Sequence, residues 1–222
     1  MANETSKTKK IWTEKEWSYL QGEGIDIGCG DDPVLPSAQA SDQIHGDANQ
    51  ISRFVQKQYD YVFSSHCLEH MSDPILALRE WYSIVKPGGV LFVIVPDEDL
   101  YEQGNFPSRF NGDHKWTFTL SKRESWSEKS VNVLNLVQGL GGEILNLELQ
   151  DRGFDYRIYR HDGGWWAYRL WRWFKKIPKF LKGTWFEIFM SRIFHIFGSG
   201  FDQTWMGGDR LAQIQLIVRK PK

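Results

Sequence analysis

A chain of 222 residues with 41% hydrophobic side chains suffices for one ordinary domain with an insertion and falls short of two. The formal charge of −1 hides an asymmetry, since residues 151–222 carry 14 Lys/Arg against 6 Asp/Glu while residues 1–150 carry 13 against 22. Two cysteines exclude a disulfide framework and fit a reducing compartment, the polar start lacks the apolar core of a secretory signal, and no run nears the roughly 18 apolar residues of a membrane span, so a cytoplasmic location is expected.

Residues 12–20 predict a short helix, with Thr13 as N-cap and Glu16 three positions on completing a capping box, packed beside the first strand. Gly24-Ile25-Asp26-Ile27 reads as that strand, buried and running into the turn Gly28-Cys29-Gly30. Glycine at 28 and 30 permits positive φ and close approach of a ligand to the backbone. No third glycine follows. Asp31-Asp32-Pro33 stands where a dinucleotide site makes room for pyrophosphate, and acidic side chains repel phosphate, so the loop suits a cationic, phosphate-free ligand.

Strand and helix signals alternate from there. A weak strand is expected over 39–42, a strong one over 59–64, and a helix over 73–85, opened by Ser72-Asp73-Pro74 and stopped by Lys86-Pro87-Gly88-Gly89. A strand over 88–95 comes next, then a helix over 130–140, a strand over 143–149, and an apolar run over 213–218 suited to an edge or antiparallel strand. The pattern is α/β. Residues 151–209 are too long for an ordinary connection and read as an insertion within a single domain spanning 1–222.

Asp26-x-Gly28-x-Gly30, the acidic Asp42 after the second strand, Gly46-Asp47-Ala48, and Leu68-Glu69-His70 followed by a helix and Lys-Pro-Gly-Gly together resemble the class I S-adenosylmethionine methyltransferases. The resemblance covers residues 24–149 and the final strand. It implies a Rossmann-like sheet of seven mostly parallel strands, the last antiparallel, with helices on both faces, and S-adenosylmethionine as cofactor. By the same resemblance, Asp26 lies near the methionine end of the cofactor beside Gly28, Cys29 and Gly30. Asp42 accepts from the ribose hydroxyls, Asp47 and Ala48 meet adenine, and the loop containing Ser65, His66 and His70 closes over the cofactor. Asp42 has the alternative of capping a turn, and Cys67 reads as a packing residue.

Methyl transfer is an in-line displacement, so the protein aligns the partners and supplies a base where the acceptor is an alcohol. The segment 111–119 follows the strand ending near Asp97 and is expected at the acceptor. His114 is the first candidate for general base, with the neighbouring Asp113 orienting or tuning its imidazole; a loop histidine holding backbone is the bland alternative. His66, Glu69 and His70 are weaker candidates for a direct role. No His/Asp/Glu grouping shows metal-ligand spacing along the sequence, so no metal is expected.

Within the insertion, 163–177 predicts a helix with Trp166, Leu170, Trp173, Phe174 and Ile177 at helical spacing and Arg169, Arg172 and Lys176 largely elsewhere; Pro178 interrupts it, Lys179 follows, and 184–197 is nearly as aromatic. Residues 163–197 thus suit an anionic membrane surface, with packing on the core or on another subunit as the alternative. The acidic first 150 residues and the lack of an Asn/Asp-Pro-Pro-Tyr/Phe motif argue against a nucleic-acid partner. The expected reaction is O-methylation of a sugar hydroxyl in a bacterial surface glycan, such as a lipopolysaccharide, or its lipid-linked precursor, peripherally at the inner face of the membrane. A quinone or natural-product methyltransferase, and a non-catalytic cofactor-binding module, are the alternatives.

Overall fold

The computed structural model describes residues 4–157, 159, 165–176, 189, 192–193, 201–205 and 209–222. Its main sheet is built from β1 (Gly24–Ile27), β2 (Gln39–Ser41), β3 (Tyr59–Ser65), β4 (Val85–Pro96), β7 (Glu143–Gln150) and β8 (Gln213–Arg219), in the order β2-β1-β3-β4-β8-β7. Neighbours from β2 to β4 are parallel, and β8 runs antiparallel to both β4 and β7. The antiparallel last strand agrees with the sequence reading; the strand count does not. Six strands form this sheet rather than seven, and two short segments, β5 (Thr117–Thr119) and β6 (Ser130–Asn132), pair separately.

Alternation along the strands sorts the side chains into two cores. One face carries Ile25, Ile27, Val62, Leu91, Val93, Val95, Leu216 and Val218 and is covered by α3 (Pro74–Ser83) and α4 (Val133–Gln138) through Leu78, Trp81, Leu136 and Val137. The other carries Tyr61, Phe63, Phe92, Ile94 and Ile217 under Trp12 and Leu20, which flank α2 (Glu14–Ser18). Trp12 meets Phe63 edge-on at 5.9 Å and Phe92 at 5.0 Å, so the α2 segment sits over β3 and β4 rather than beside β1 as expected. The Thr13–Glu16 capping box forms as read from the sequence.

Local signals fix the ends of α3. Asp73 accepts from the N–H groups of Ile75 and Leu76, and Pro74 occupies the first turn, where its missing N–H costs nothing. The helix stops at Ser83, before the predicted end, because Val85 is already paired with Tyr59. The 130–140 segment also differs: residues 130–132 are drawn into pairing with β5, and Asn132 then caps a shorter α4 by accepting from Asn135 N–H. Ahead of α2, the polar start forms α1 (Glu4–Lys9), which tertiary contacts hold. Ser6 donates to the Asp32 carboxylate, and Gln213 Nε2 donates to the buried Thr8 hydroxyl at 2.8 Å. In the insertion, α5 (Trp165–Lys175) is helical as predicted; the 184–197 stretch and Pro178 lie largely outside the described residues.

Candidate active site

The chain leaves β1 for β2 on one side and returns to β3 on the other, and this reversal in strand order opens a crevice at the carboxyl ends of β1 and β3. The glycine turn lies there. Gly28 and Gly30 have φ of 75° and 52°, in the left-handed region. A Cβ on Gly28 would lie 2.5 Å from Cys67 Sγ, which assigns Cys67 to packing under the loop. Gly28 N–H donates to Ser41 O at 2.7 Å, and Gly30 N–H to Asp42 Oδ2 at 3.1 Å. Asp42 also caps the following turn by accepting from Gln43 N–H at 2.7 Å, so its carboxylate stitches β1 to β2. Asp47 similarly caps its own turn through Asn49, and Ala48 O accepts from Trp81 Nε1 at 2.8 Å.

Asp26 is 1% exposed and accepts from Val34 N–H at 2.7 Å; burial pushes its carboxyl up to about 7, against that hydrogen bond. Cys29 is half-buried, and burial raises its thiol. Ser65 Oγ, at the end of β3, is buried with no hydrogen-bond partner among the described residues.

The turn after β3 carries most of the remaining chemistry. His66 adopts φ of 52°, in the left-handed region, and its Nε2 lies 3.0 Å from Gln213 Oε1. Because Gln213 Nε2 donates to Thr8 and Gln150, its Oε1 is left to accept from His66. The other ring nitrogen stands 3.5 Å from Glu69 Oε1. Burial pulls this imidazole down, yet the Glu69 carboxylate carries it up to about 9. Glu69 is 0% exposed; burial pushes its carboxyl up, but His66 above all, with His114 and His70, holds it below the usual range.

His114 is buried against the same carboxylate. The segment bearing it is clipped to the β3 turn by Lys115 N–H, which donates to Glu69 O at 2.8 Å. Its Nδ1 lies 2.6 Å from Glu102 Oε1, Tyr101 stacks on the ring at 5.3 Å, and His70 meets it edge-on at 5.0 Å. Glu102 comes from the π-helical turn Glu98–Glu102, capped by Asp97 just after β4. It, and not Asp113, orients the imidazole. Asp113 is exposed in a turn closed by His114 N–H donating to Asn111 O at 3.2 Å, and its backbone carbonyl instead meets His70 Nδ1 at 3.0 Å.

The structure thus joins His66, Glu69, His70 and His114 in one cluster, whereas Gly28, Cys29, Gly30, Asp42 and Ser65 line the neighbouring crevice. His66 and His70 turn their rings toward the cluster. Sequence reading gave Glu102 and Gln213 no role; the signals were an acidic residue four positions after Glu98 and glutamines alternating through the apolar run 213–218. The expectation that no metal-type grouping exists is corrected: one ligating atom each from Glu69, His70 and His114 falls within 4.8 Å of the others. Sequence separation concealed the grouping, because 69–70 and 114 meet only through the backbone clip.

A family model described as a methyltransferase domain matches residues 8–157. The chain belongs to the methyltransferase domain family. It is 31% identical over 130 residues to the demethylmenaquinone methyltransferase of Listeria welshimeri serovar 6b, an alignment covering 54% of this chain and 52% of that protein. The chain therefore spans about half the length of the curated relative it matches. A protein of Bacillus halodurans C-125 assigned as a methyltransferase shares the fold, with a TM-score of 0.50, 14% identity and coverage of 94% of this chain and 98% of that one. The plantazolicin methyltransferase BamL, solved with a triazolic desmethylPZN analog and SAH, aligns over 100% of this chain and 86% of its own at 12% identity and a TM-score of 0.49.

Membership of the methyltransferase domain family implies S-adenosylmethionine as the methyl donor. The residues at the crevice fit that molecule: left-handed glycines leave backbone bare for close approach, the unpartnered Ser65 hydroxyl offers a polar contact, and the carboxylates of Asp26 and Asp42 complement a ligand that is cationic and bears hydroxyls. Bound there, the donor would supply an electrophilic methyl on a sulfonium.

Proposed function

We propose that this methyltransferase methylates a sugar hydroxyl of a surface glycan or its lipid-linked precursor, and that His114 activates that hydroxyl. The observation that carries the reading is the Glu102–His114 pair. Glu102 fixes the proton on Nδ1 and leaves the Nε2 lone pair for proton chemistry in a buried position next to the β3 turn. Asp26 and the glycine turn hold the donor, and the chain from 1 to 222 acts as one domain with 151–209 as its acceptor-side insertion. An aromatic row supports that placement: Tyr168 of α5 stands 6.5 Å from Phe110, which meets Tyr101, the residue stacked on His114. Trp166 and Trp173, about two helical turns apart, are exposed alongside the cations Arg169, Arg172 and Lys176, as suits peripheral contact with an anionic membrane on its cytoplasmic side. No helix among the described residues is long and apolar enough to cross a membrane.

A second reading follows from the name of the Listeria relative, namely methylation of a quinone-type small molecule. Methyl-labelled S-adenosylmethionine added with the protein to a lysate of its source separates the two. Label in glycolipid or polysaccharide supports the first reading, and label confined to small extractable metabolites replaces it with the second. His114→Ala is expected to lower turnover by about 10²-fold or more with donor affinity nearly unchanged; near-normal turnover removes His114 from the mechanism.

A further inference from the structure

We infer that Glu69, His70 and His114 form a binding site for one divalent transition-metal ion, with the acceptor hydroxyl as a further ligand; the hydroxyl's part rests on the function proposed above, and the ion's does not. The argument begins with the protons. His114 Nδ1 lies 2.6 Å from Glu102 Oε1, and His70 Nδ1 lies 3.0 Å from the Asp113 carbonyl. Both partners only accept, so both Nδ1 atoms carry hydrogen, and in the neutral imidazoles both Nε2 atoms present lone pairs. Those two lone pairs each face Glu69 Oε1 from 3.9 Å, too far for a hydrogen bond. Glu69 is 0% exposed, and neither carboxylate oxygen has a hydrogen-bond partner among the described residues. His66 Nδ1 approaches Oε1 only to 3.5 Å, as an ion-pair contact when protonated, and does not reach Oε2 or either Nε2 atom.

Acceptors converging on a carboxylate that solvent does not reach call for a cation between them. A histidine held at one ring nitrogen by a carboxylate or a backbone carbonyl, with the other nitrogen facing inward, is the support that metal-ligating imidazoles receive. In a tetrahedral site with metal–ligand bonds of about 2.0–2.1 Å, ligand atoms lie roughly 3.4 Å apart, so the two 3.9 Å gaps to Glu69 close with a shift of about half an ångström, and the third gap, within 4.8 Å, with about 1.4 Å at most. Two imidazoles and one carboxylate select zinc, manganese, iron(II) or cobalt over magnesium or calcium. Three protein ligands leave a position open for an oxygen, and an ion there lowers the pKa of a hydroxyl bound to it. With the ion bound, the ion in place of the His114 imidazole would polarise the hydroxyl, and the proton released would pass to Glu69 Oε2, which has no hydrogen-bond partner among the described residues.

The test uses the intact protein, freed of metal with a chelator and titrated calorimetrically with Zn²⁺ and, separately, with Co²⁺ while the visible spectrum is recorded. One ion per chain at micromolar or tighter affinity is expected, with cobalt d–d bands of a low-coordinate N/O site. His70→Ala, at a half-buried position that tolerates truncation, and Glu69→Gln should each weaken binding by about tenfold or more, with thermal melts showing both variants folded. No uptake, or uptake that both variants retain unchanged, overturns the site. If no ion binds but His114→Ala still abolishes methylation, the ion falls and His114 stands as a general base. If the ion binds and no hydroxyl acceptor is found, the site stands and the glycan reading falls.

Discussion

At the scale of single residues, Asp26 shows most directly how burial sets chemistry. The folded chain holds its carboxyl at about 7, whereas the ordinary value is 3.8, so between those pH values the folded form retains a proton that the unfolded chain has released. Stability contributed by this group therefore falls as pH rises from about 4 to about 7. Asp26→Asn keeps an acceptor for Val34 N–H and removes the titration. The variant should resist urea better than the parent above pH 7, by at most about 4 kcal/mol, with the difference vanishing toward pH 4; a gap independent of pH would show that Asp26 is not the titrating group. Individual site residues were unevenly legible. Asp26, Gly28 and Gly30 declare themselves by a motif contiguous in sequence. His114 was found because histidine is the commonest proton carrier near neutral pH, but its partners Glu102 and Glu69 lie 12 and 45 positions away, where spacing carries no information.

At the scale of elements, the strand and helix ends follow local chemistry that mutation can read. Asp73 supplies both capping contacts of α3, so Asp73→Ala should cost about 1 kcal/mol in urea unfolding. Gly24 pairs with Tyr61, and a Cβ at that position would lie 1.8 Å from the Tyr61 ring. Gly24→Ala should cost about 3 kcal/mol or more, since both strands are buried and cannot move apart; a loss under 1 kcal/mol would mean that the ring has room to swing away. Elements with a strong period or an unambiguous cap, such as β3, α3 and β8, were readable. The short pair β5–β6 was not, because three-residue strands are too short to carry a periodic signature, and their pairing shortened the helix predicted over 130–140.

For the whole molecule, the acidic first 150 residues and the basic remainder set the expected membrane behaviour. Trp166→Ala with Trp173→Ala should reduce co-sedimentation with anionic liposomes by about tenfold, and added salt should reduce parental binding as well. Parental protein that ignores anionic liposomes would remove the interfacial reading. The sheet's parallel order and antiparallel last strand were legible from alternating signals and motif order, while the number of strands depended on tertiary pairing that no local pattern records.

β8 lies between β4 and β7, and its Gln213 ties together α1, β7 and the β3 turn. This has a bearing on vectorial synthesis. A nascent chain that has produced β7 but not β8 exposes unpaired edges on both β4 and β7, the kind of template that recruits other chains. At that stage His66 lacks its contact with Gln213, and Thr8 of α1 lacks the hydrogen bond from Gln213 Nε2. The sheet thus closes late, when a seven-residue strand slides into the gap between two strands made long before it.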